Sequence, residues 1–143
     1  MSLQLENPTQ SSTNPNYPAS NALDGKLKFV LGCSMTKDEM HPWWRAELHS
    51  PHFITKINIV PRSDKRQYRY TNVSAHTSMD GTTWTLCEDL GYRLAMVEDG
   101  EQKWFGVECP VGTFGKYVRL IQYNEQRFTV CEVEVEGYQG MCI

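Results

Sequence analysis

An all-β sandwich or barrel of short antiparallel strands is the fold class this sequence predicts. Six segments are rich in β-branched and aromatic residues, the clearest of them alternate with a period of two, and helical periods are few. That combination suits sheets with one face buried and the other wet. At 143 residues the chain has the size of one domain. No linker, repeat or low-complexity tract divides it, so residues 1–143 read as a single unit, with Met1–Leu3 as residues ahead of the native domain.

In chain order, the stretch from Asn7 to Asp24 is crowded with Pro, Ser, Asn and Thr. These residues favour turns over helix, and an ordered loop or a flexible arm is expected there. Next comes PWWRAEL at 42–48, a strand-like segment. Adjacent tryptophans point to opposite faces of an extended chain, which assigns one to the core and the other to a sheet edge or the loop region. Arg45 is placed to brace neighbouring loops by a salt bridge. FITKINIV at 53–60 alternates through Ile57-Asn58-Ile59, and further strands are expected at 68–79, 83–89, 104–109, 116–123 and 128–137, the last alternating from Val130 to Val135. Met79-Asp80-Gly81 supplies a hairpin signal, because Asp-Gly tolerates the positive φ of a tight turn.

Several function classes lack support. A net charge of -3 gives no electrostatic reason to bind nucleic acid, and apolar runs of only a few residues do not insert into a membrane. None of His41, His49, His52 and His76 stands in a nucleophile or metal signature. Glu88, Asp89, Glu98, Asp99 and Glu101 read as solvated loop charges rather than the paired acids of a glycosidase. The chain therefore reads as a binding module and not an enzyme. Its five cysteines, 33, 87, 109, 131 and 142, have neither zinc-site nor redox-motif spacing. Four in structural disulfides and one left over, Cys142 beside the C-terminus, suit an oxidising compartment and a secreted or extracellular protein. No leader is visible, since polar Gln4 and Glu6 follow at once, and a native one is expected to have been removed. The sequon Asn72-Val73-Ser74 fits that setting.

One cluster points to a ligand. In PRSDKRQYR at 61–69, Arg62, Asp64 and Arg69 join the end of one strand to the start of the next. Guanidinium forks can grip vicinal hydroxyls and a ring oxygen, with a carboxylate to orient them, which suits a sugar. On spacing alone a solvated basic hairpin reads the same way.

Taken together, NALDG at 21–25, CSMT at 33–36, PWWR at 42–45, RSDKRQYR at 62–69, DGTTW at 80–84 and CEVEV at 131–135 resemble the F-type lectins, or fucolectins, in order along nearly the whole chain. The resemblance implies a discoidin-like jellyroll β-sandwich of antiparallel strands that binds fucose or a related glycan beside a structural calcium. The family's sugar motif is His, twenty-six residues, Arg-x-Asp, four residues and a second Arg or Lys. Arg62, Asp64 and Arg69 fit its second half, whereas Met35 stands at the histidine position. A thioether bonds a hydroxyl only weakly, so one direct contact of roughly 0.5–1.5 kcal/mol is expected to be lost. His41, six residues on, is the nearest replacement. The vicinal cysteines often found between the two arginines are replaced by Lys65-Arg66.

The same resemblance implies disulfides Cys33–Cys131 and Cys87–Cys109. For calcium it implies the side chains of Asp24 and Glu132 with the carbonyls of Asn21, Lys26, Gly32 and Cys131, a hard-oxygen set. Gly32 stands where a serine can lend its hydroxyl. Nonpolar sugar contacts fall to Tyr17, Phe29 and Tyr68. The rival expectation is an extracellular protein-interaction or adhesion module that keeps the scaffold and has lost fucose. Multivalency, by oligomerisation or within a larger multidomain protein, is how weak single sites of this kind gain avidity.

Overall fold

The computed structural model describes residues 2–26, 32–62, 71–91, 93–96 and 103–140. Among them the strands are β1 (Ser2–Leu3), β2 (Leu5–Gln10), β3 (Ser34–Met35), β4 (Glu39–Met40), β5 (Trp43–Pro61), β6 (Val73–Ser78), β7 (Thr85–Gly91), β8 (Phe105–Glu108), β9 (Phe114–Gln122), β10 (Glu125–Gln126) and β11 (Thr129–Tyr138). Two 3₁₀ turns, Ala19–Leu23 and Arg93–Met96, are the helical pieces described. No helix among the described residues is long and apolar enough to cross a membrane.

β5 belongs to both layers of the sandwich. Its first half pairs with β9 from Trp43↔Ile121 to Glu47↔Tyr117, and with β2 on the other side; β9 passes on to β6 and β6 to β7. Its second half pairs with β11 and β8, and β11 also carries β1 and β3. Every pairing among the described residues is antiparallel. The register with β9 breaks between Glu47 and His52, where the strand turns from one layer to the other, as corner strands do. The segments expected at 42–48 and 53–60 are thus one strand whose pairing with β9 is interrupted by a bulge between Glu47 and His52.

Alternation fills the space between the layers. Trp44, Ala46 and Leu48 meet Val118, Leu120, Val73 and Ala75 from one side and Ile57, Ile59, Val107, Val133 and Val135 from the other, in one buried cluster. The two tryptophans divide as expected. Trp44 is 1% exposed and donates its indole N–H to Ala19 O at 3.0 Å, while Trp43 stays half-buried on the outer face. The Asp-Gly turn also forms, with Gly81 at φ +79° and Asp80 Oδ1 accepting from the backbone N–H of Thr82 and Thr83. Those bonds hold the Asp80 carboxyl well below its usual pKa.

Three expectations need correction. The turn-rich stretch from Asn7 does not start as a loop, because Asn7–Gln10 lies in β2. This edge strand tolerates Pro8 where its register shifts between Glu6 and Thr9, with Asn7 at φ +49°. Glu88 and Asp89 lie in β7 rather than a turn, and Glu88 pairs with Arg93 at 2.7 Å; Glu98, Asp99 and Glu101 fall outside the described residues. Arg45 braces a loop through a hydrogen bond to Gly81 O at 3.0 Å, and no salt bridge joins it to another of the described residues. Leu3, at the chain start, packs into the core from β1.

Candidate ligand-binding site

The two residues of β3 cannot hold a strand by propensity and are pinned from both sides. Cys33 is bonded to Cys131, Ser34 Oγ donates to Val130 O at 2.8 Å, and Met35 pairs with Thr129. Continuing that register by one residue sets Cys33 opposite Cys131. From the other side the arm after β2 closes over Met35. Its N–H donates to Tyr17 O at 3.1 Å, and its carbonyl accepts from Asn14 N–H at 3.0 Å and from Gln10 Nε2 at 3.3 Å. The crowded polar run at 10–17 is therefore an ordered strap. The second expected disulfide, Cys87–Cys109, is also formed, and Cys142 lies outside the described residues.

Arg62 follows β5 at the same end. It is 3% exposed, and its Nη1 donates to Thr129 Oγ1 at 3.3 Å. Burying a guanidinium is unfavourable unless it is well bonded, and the Thr129 hydroxyl is one of the groups that offset the cost here. Met35, across from that threonine, is buried, and its sulfur accepts from Asn14 Nδ2 at 3.4 Å. The structure thus brings Arg62 and Met35 to one shared neighbour, Thr129. Asp64, Tyr68, Arg69 and Phe29 lie outside the described residues. Tyr17 is half-buried and joins the strap through its carbonyl. His41 is exposed at φ +52°, with its ring against Tyr123 at 5.8 Å.

Thr129 is the residue that sequence reasoning passed over, since it sits in a segment read only as a strand. The signal was present. Once Cys33 and Cys131 are bonded across antiparallel strands, the residue two after the first must face the residue two before the second.

The residues implied for calcium lie where the Ala19–Leu23 turn meets β11. Asn21 Nδ2 donates to Cys33 O at 3.1 Å, and Asp24, exposed, accepts Lys26 N–H at 3.0 Å as the cap of its own turn. Glu132 departs from simple alternation: Glu134 is exposed, yet Glu132 is 3% exposed. It pairs with β5 in the same unbroken register as Glu134 and so shares its face, and it is buried where the Ala19–Leu23 turn packs on β11, bordering a shallow hollow of about 210 Å³ shared with Leu23 and Gly25. Among the described residues no group of three or more His, Cys, Asp or Glu could hold a metal. Backbone carbonyls would have to supply most of the shell. An all-oxygen set of two carboxylates and the carbonyls of Asn21, Lys26, Gly32 and Cys131 fits a hard cation.

Residues 7–133 match the F5/8 type C domain family. A fucolectin of Anguilla anguilla is 32% identical over 127 residues, covering 84% of this chain and 77% of that protein. The fucolectin from striped bass (Morone saxatilis) serum has the same fold at a TM-score of 0.78 and 25% identity. The match covers 93% of this chain and 47% of that one, so this chain spans about half the bass protein's length. The lectin domain of lectinolysin, solved in complex with Lewis B antigen, is alike in fold at a TM-score of 0.78 and 18% identity, over 95% of this chain and 94% of that one. From its sequence, its jellyroll and these relatives, this chain belongs to the F5/8 type C family and, within it, to the fucolectins.

Proposed function

We propose that this domain is a lectin that binds glycans, fucosylated ones foremost, at the loop end around Arg62, without catalysing a reaction. The observation that carries the reading is a buried arginine, fixed by Thr129, at the position where the family's motif places its first sugar-gripping guanidinium. Asp64 and Arg69 complete the trio in this reading, with Tyr68 and Phe29 offering apolar contact. The names of the relatives support a glycan ligand. Met35 sets the expected strength, because the loss of one hydrogen bond of roughly 0.5–1.5 kcal/mol weakens binding about two- to tenfold against a histidine-bearing site. Calcium would steady the loop between Asn21 and Gly32 by bridging it to Glu132. Two disulfides and family membership support a secreted domain.

A second reading has one observation in its favour. Met35 is buried and its sulfur is already engaged by Asn14, so this position offers a sugar no polar group. On that reading the scaffold serves a protein partner. A glycan array probed with the domain in calcium and in chelator, beside Arg62→Gln, decides between them. Fucosylated hits that vanish in a folded Arg62→Gln protein support the lectin; silence on every glycan from folded wild-type protein supports the interaction module.

A further inference from the structure

The outer face of the β5–β9–β6–β7 layer is unlike an ordinary wet sheet face. The alternation that sends Trp44, Ala46, Val118 and Leu120 inward sends Trp43, Arg45, Tyr117 and Arg119 outward, and the register sets Arg45 directly opposite Arg119. Like charges in that relation oppose pairing of the strands. Trp84, from the hairpin after β6, lies over both: Arg119 is 4.4 Å and Arg45 5.5 Å from its ring. Arg45 also sits 5.9 Å from the Trp43 ring and 5.4 Å from that of Tyr117.

Among the described residues neither guanidinium meets a carboxylate. The ion pairs there are His49–Glu6, Arg93–Glu88 and Lys116–Glu47, and none includes Arg45 or Arg119. Glu47, on the same face, is engaged by Asn7 Nδ2 at 2.6 Å and Lys116 Nζ at 3.7 Å, and Asp80 is turned into its own loop. Among the described residues, buried Arg119 Nε finds no hydrogen-bond partner, nor does buried Nδ1 of His76, its cross-strand neighbour on β6. On a chain of net charge -3 this is a local excess of positive charge, held rigid by ring stacking.

We infer that this face is a second ligand site, separate from the loop end, and that its ligand is an acidic sugar, a pyranose bearing a carboxylate or a sulfate. Two guanidinium groups side by side match the oxygens of such an anion. The rings of Trp43, Trp84 and Tyr117 are half-buried against the two guanidinium groups, and their remaining exposed surface would meet the C–H face of the sugar. Stacking on Trp84 orders Arg119 before the ligand arrives, which reduces the entropy lost on binding. A peptide added as an extra strand would join at the edge strand β7 and not over the two arginines, because β9 and β6 are paired on both sides. The sugar part of this inference rests on the lectin reading; the anion part does not.

The test is calorimetric titration of the wild-type domain with galactose 6-sulfate and methyl glucuronide, with galactose, sodium sulfate and hexaglutamate as comparisons, at low and at raised salt. Both acidic sugars are expected to bind, galactose not at the same concentration, and raised salt to weaken binding. Arg119→Gln and Arg45→Gln are each expected to lower acidic-sugar affinity about tenfold while leaving any fucosylated glycan bound at the loop end unaffected; Lys103→Gln, a basic surface change elsewhere, should alter neither. Unchanged acidic-sugar binding in both arginine variants would overturn the site. Sulfate binding as tightly as galactose 6-sulfate, or hexaglutamate binding more tightly than either acidic sugar, would overturn the sugar assignment. Acidic-sugar binding by a protein that takes no fucosylated glycan would still support this face, since only the loop-end reading would then have failed.

Discussion

Arg62 and Thr129 are joined by a hydrogen bond of 3.3 Å although they stand 67 positions apart, and the bond ties the end of β5 to the first residue of β11. Replacing the hydroxyl removes an acceptor from a buried guanidinium. Thr129→Val is expected to lower stability by about 1–3 kcal/mol in urea unfolding. If Arg62 is held in place for a sugar, the same substitution also weakens glycan binding in a titration of the folded protein.

His76 provides a pH signature. Burial first, and then the Arg119 charge across the β6–β9 pairing, bring its pKa from 6.5 down to about 4. A histidine whose folded pKa lies below its unfolded value binds its proton more readily when unfolded, so stability is complete above the unfolded value and falls as pH drops. The unfolding free energy from urea titrations should therefore carry a component that is level above pH 6.5 and declines as pH falls from 6.5 towards 4. His76→Gln should flatten that limb. Asp80, with its carboxyl pKa lowered from 3.8, acts only at more acidic pH.

The two disulfides are expected to differ in worth. Cys33–Cys131 closes a separation of 98 residues and Cys87–Cys109 one of 22. On the loop-entropy account the first contributes about 4–5 kcal/mol and the second about 3 kcal/mol. Paired Cys→Ser variants should show that order in urea. The Cys33→Ser, Cys131→Ser protein should also bind glycan more weakly, because the covalent tie of β3 to β11 is lost and only the hydrogen bonds of Ser34, Met35 and Thr36 remain.

Calcium supplies a further prediction. Wild-type protein should melt higher in calcium than in chelator, with an increment that grows with the concentration of the ion, since a ligand of the folded state alone stabilises by mass action. Glu132→Gln should remove that increment. A calcium response unchanged in Glu132→Gln would place any ion elsewhere.

Much of the scaffold is legible in the residues, for local reasons. Ile57-Asn58-Ile59 alternates because one face of β5 is buried; Trp43 and Trp44 part because neighbours on a strand point apart; Asp80-Gly81 turns because glycine accepts the positive φ. Bulges defeated the same logic. Pro8 and the His49-Ser50-Pro51 run look like breaks, yet both are places where a strand shifts register and continues. The burial of Glu132 was hidden for another reason, since it depends on the Ala19–Leu23 turn packing on β11. At the loop end, Met35 and Arg62 were found by motif spacing, whereas Thr129 needed the disulfide register. The meeting of Arg45, Trp84 and Arg119 depends on pairing among β5, β9 and β6, which no local pattern encodes.

The central claim, a sugar held at the loop end, is tested most directly by recording backbone amide shifts of isotope-labelled domain as a fucosylated trisaccharide is added in calcium. The account predicts changes clustered at residues 33–36, 62–71 and 128–131, around Met35, Arg62 and Thr129. Shifts confined to the outer face about Trp84, or no saturable shift at any residue of the folded protein, would contradict it.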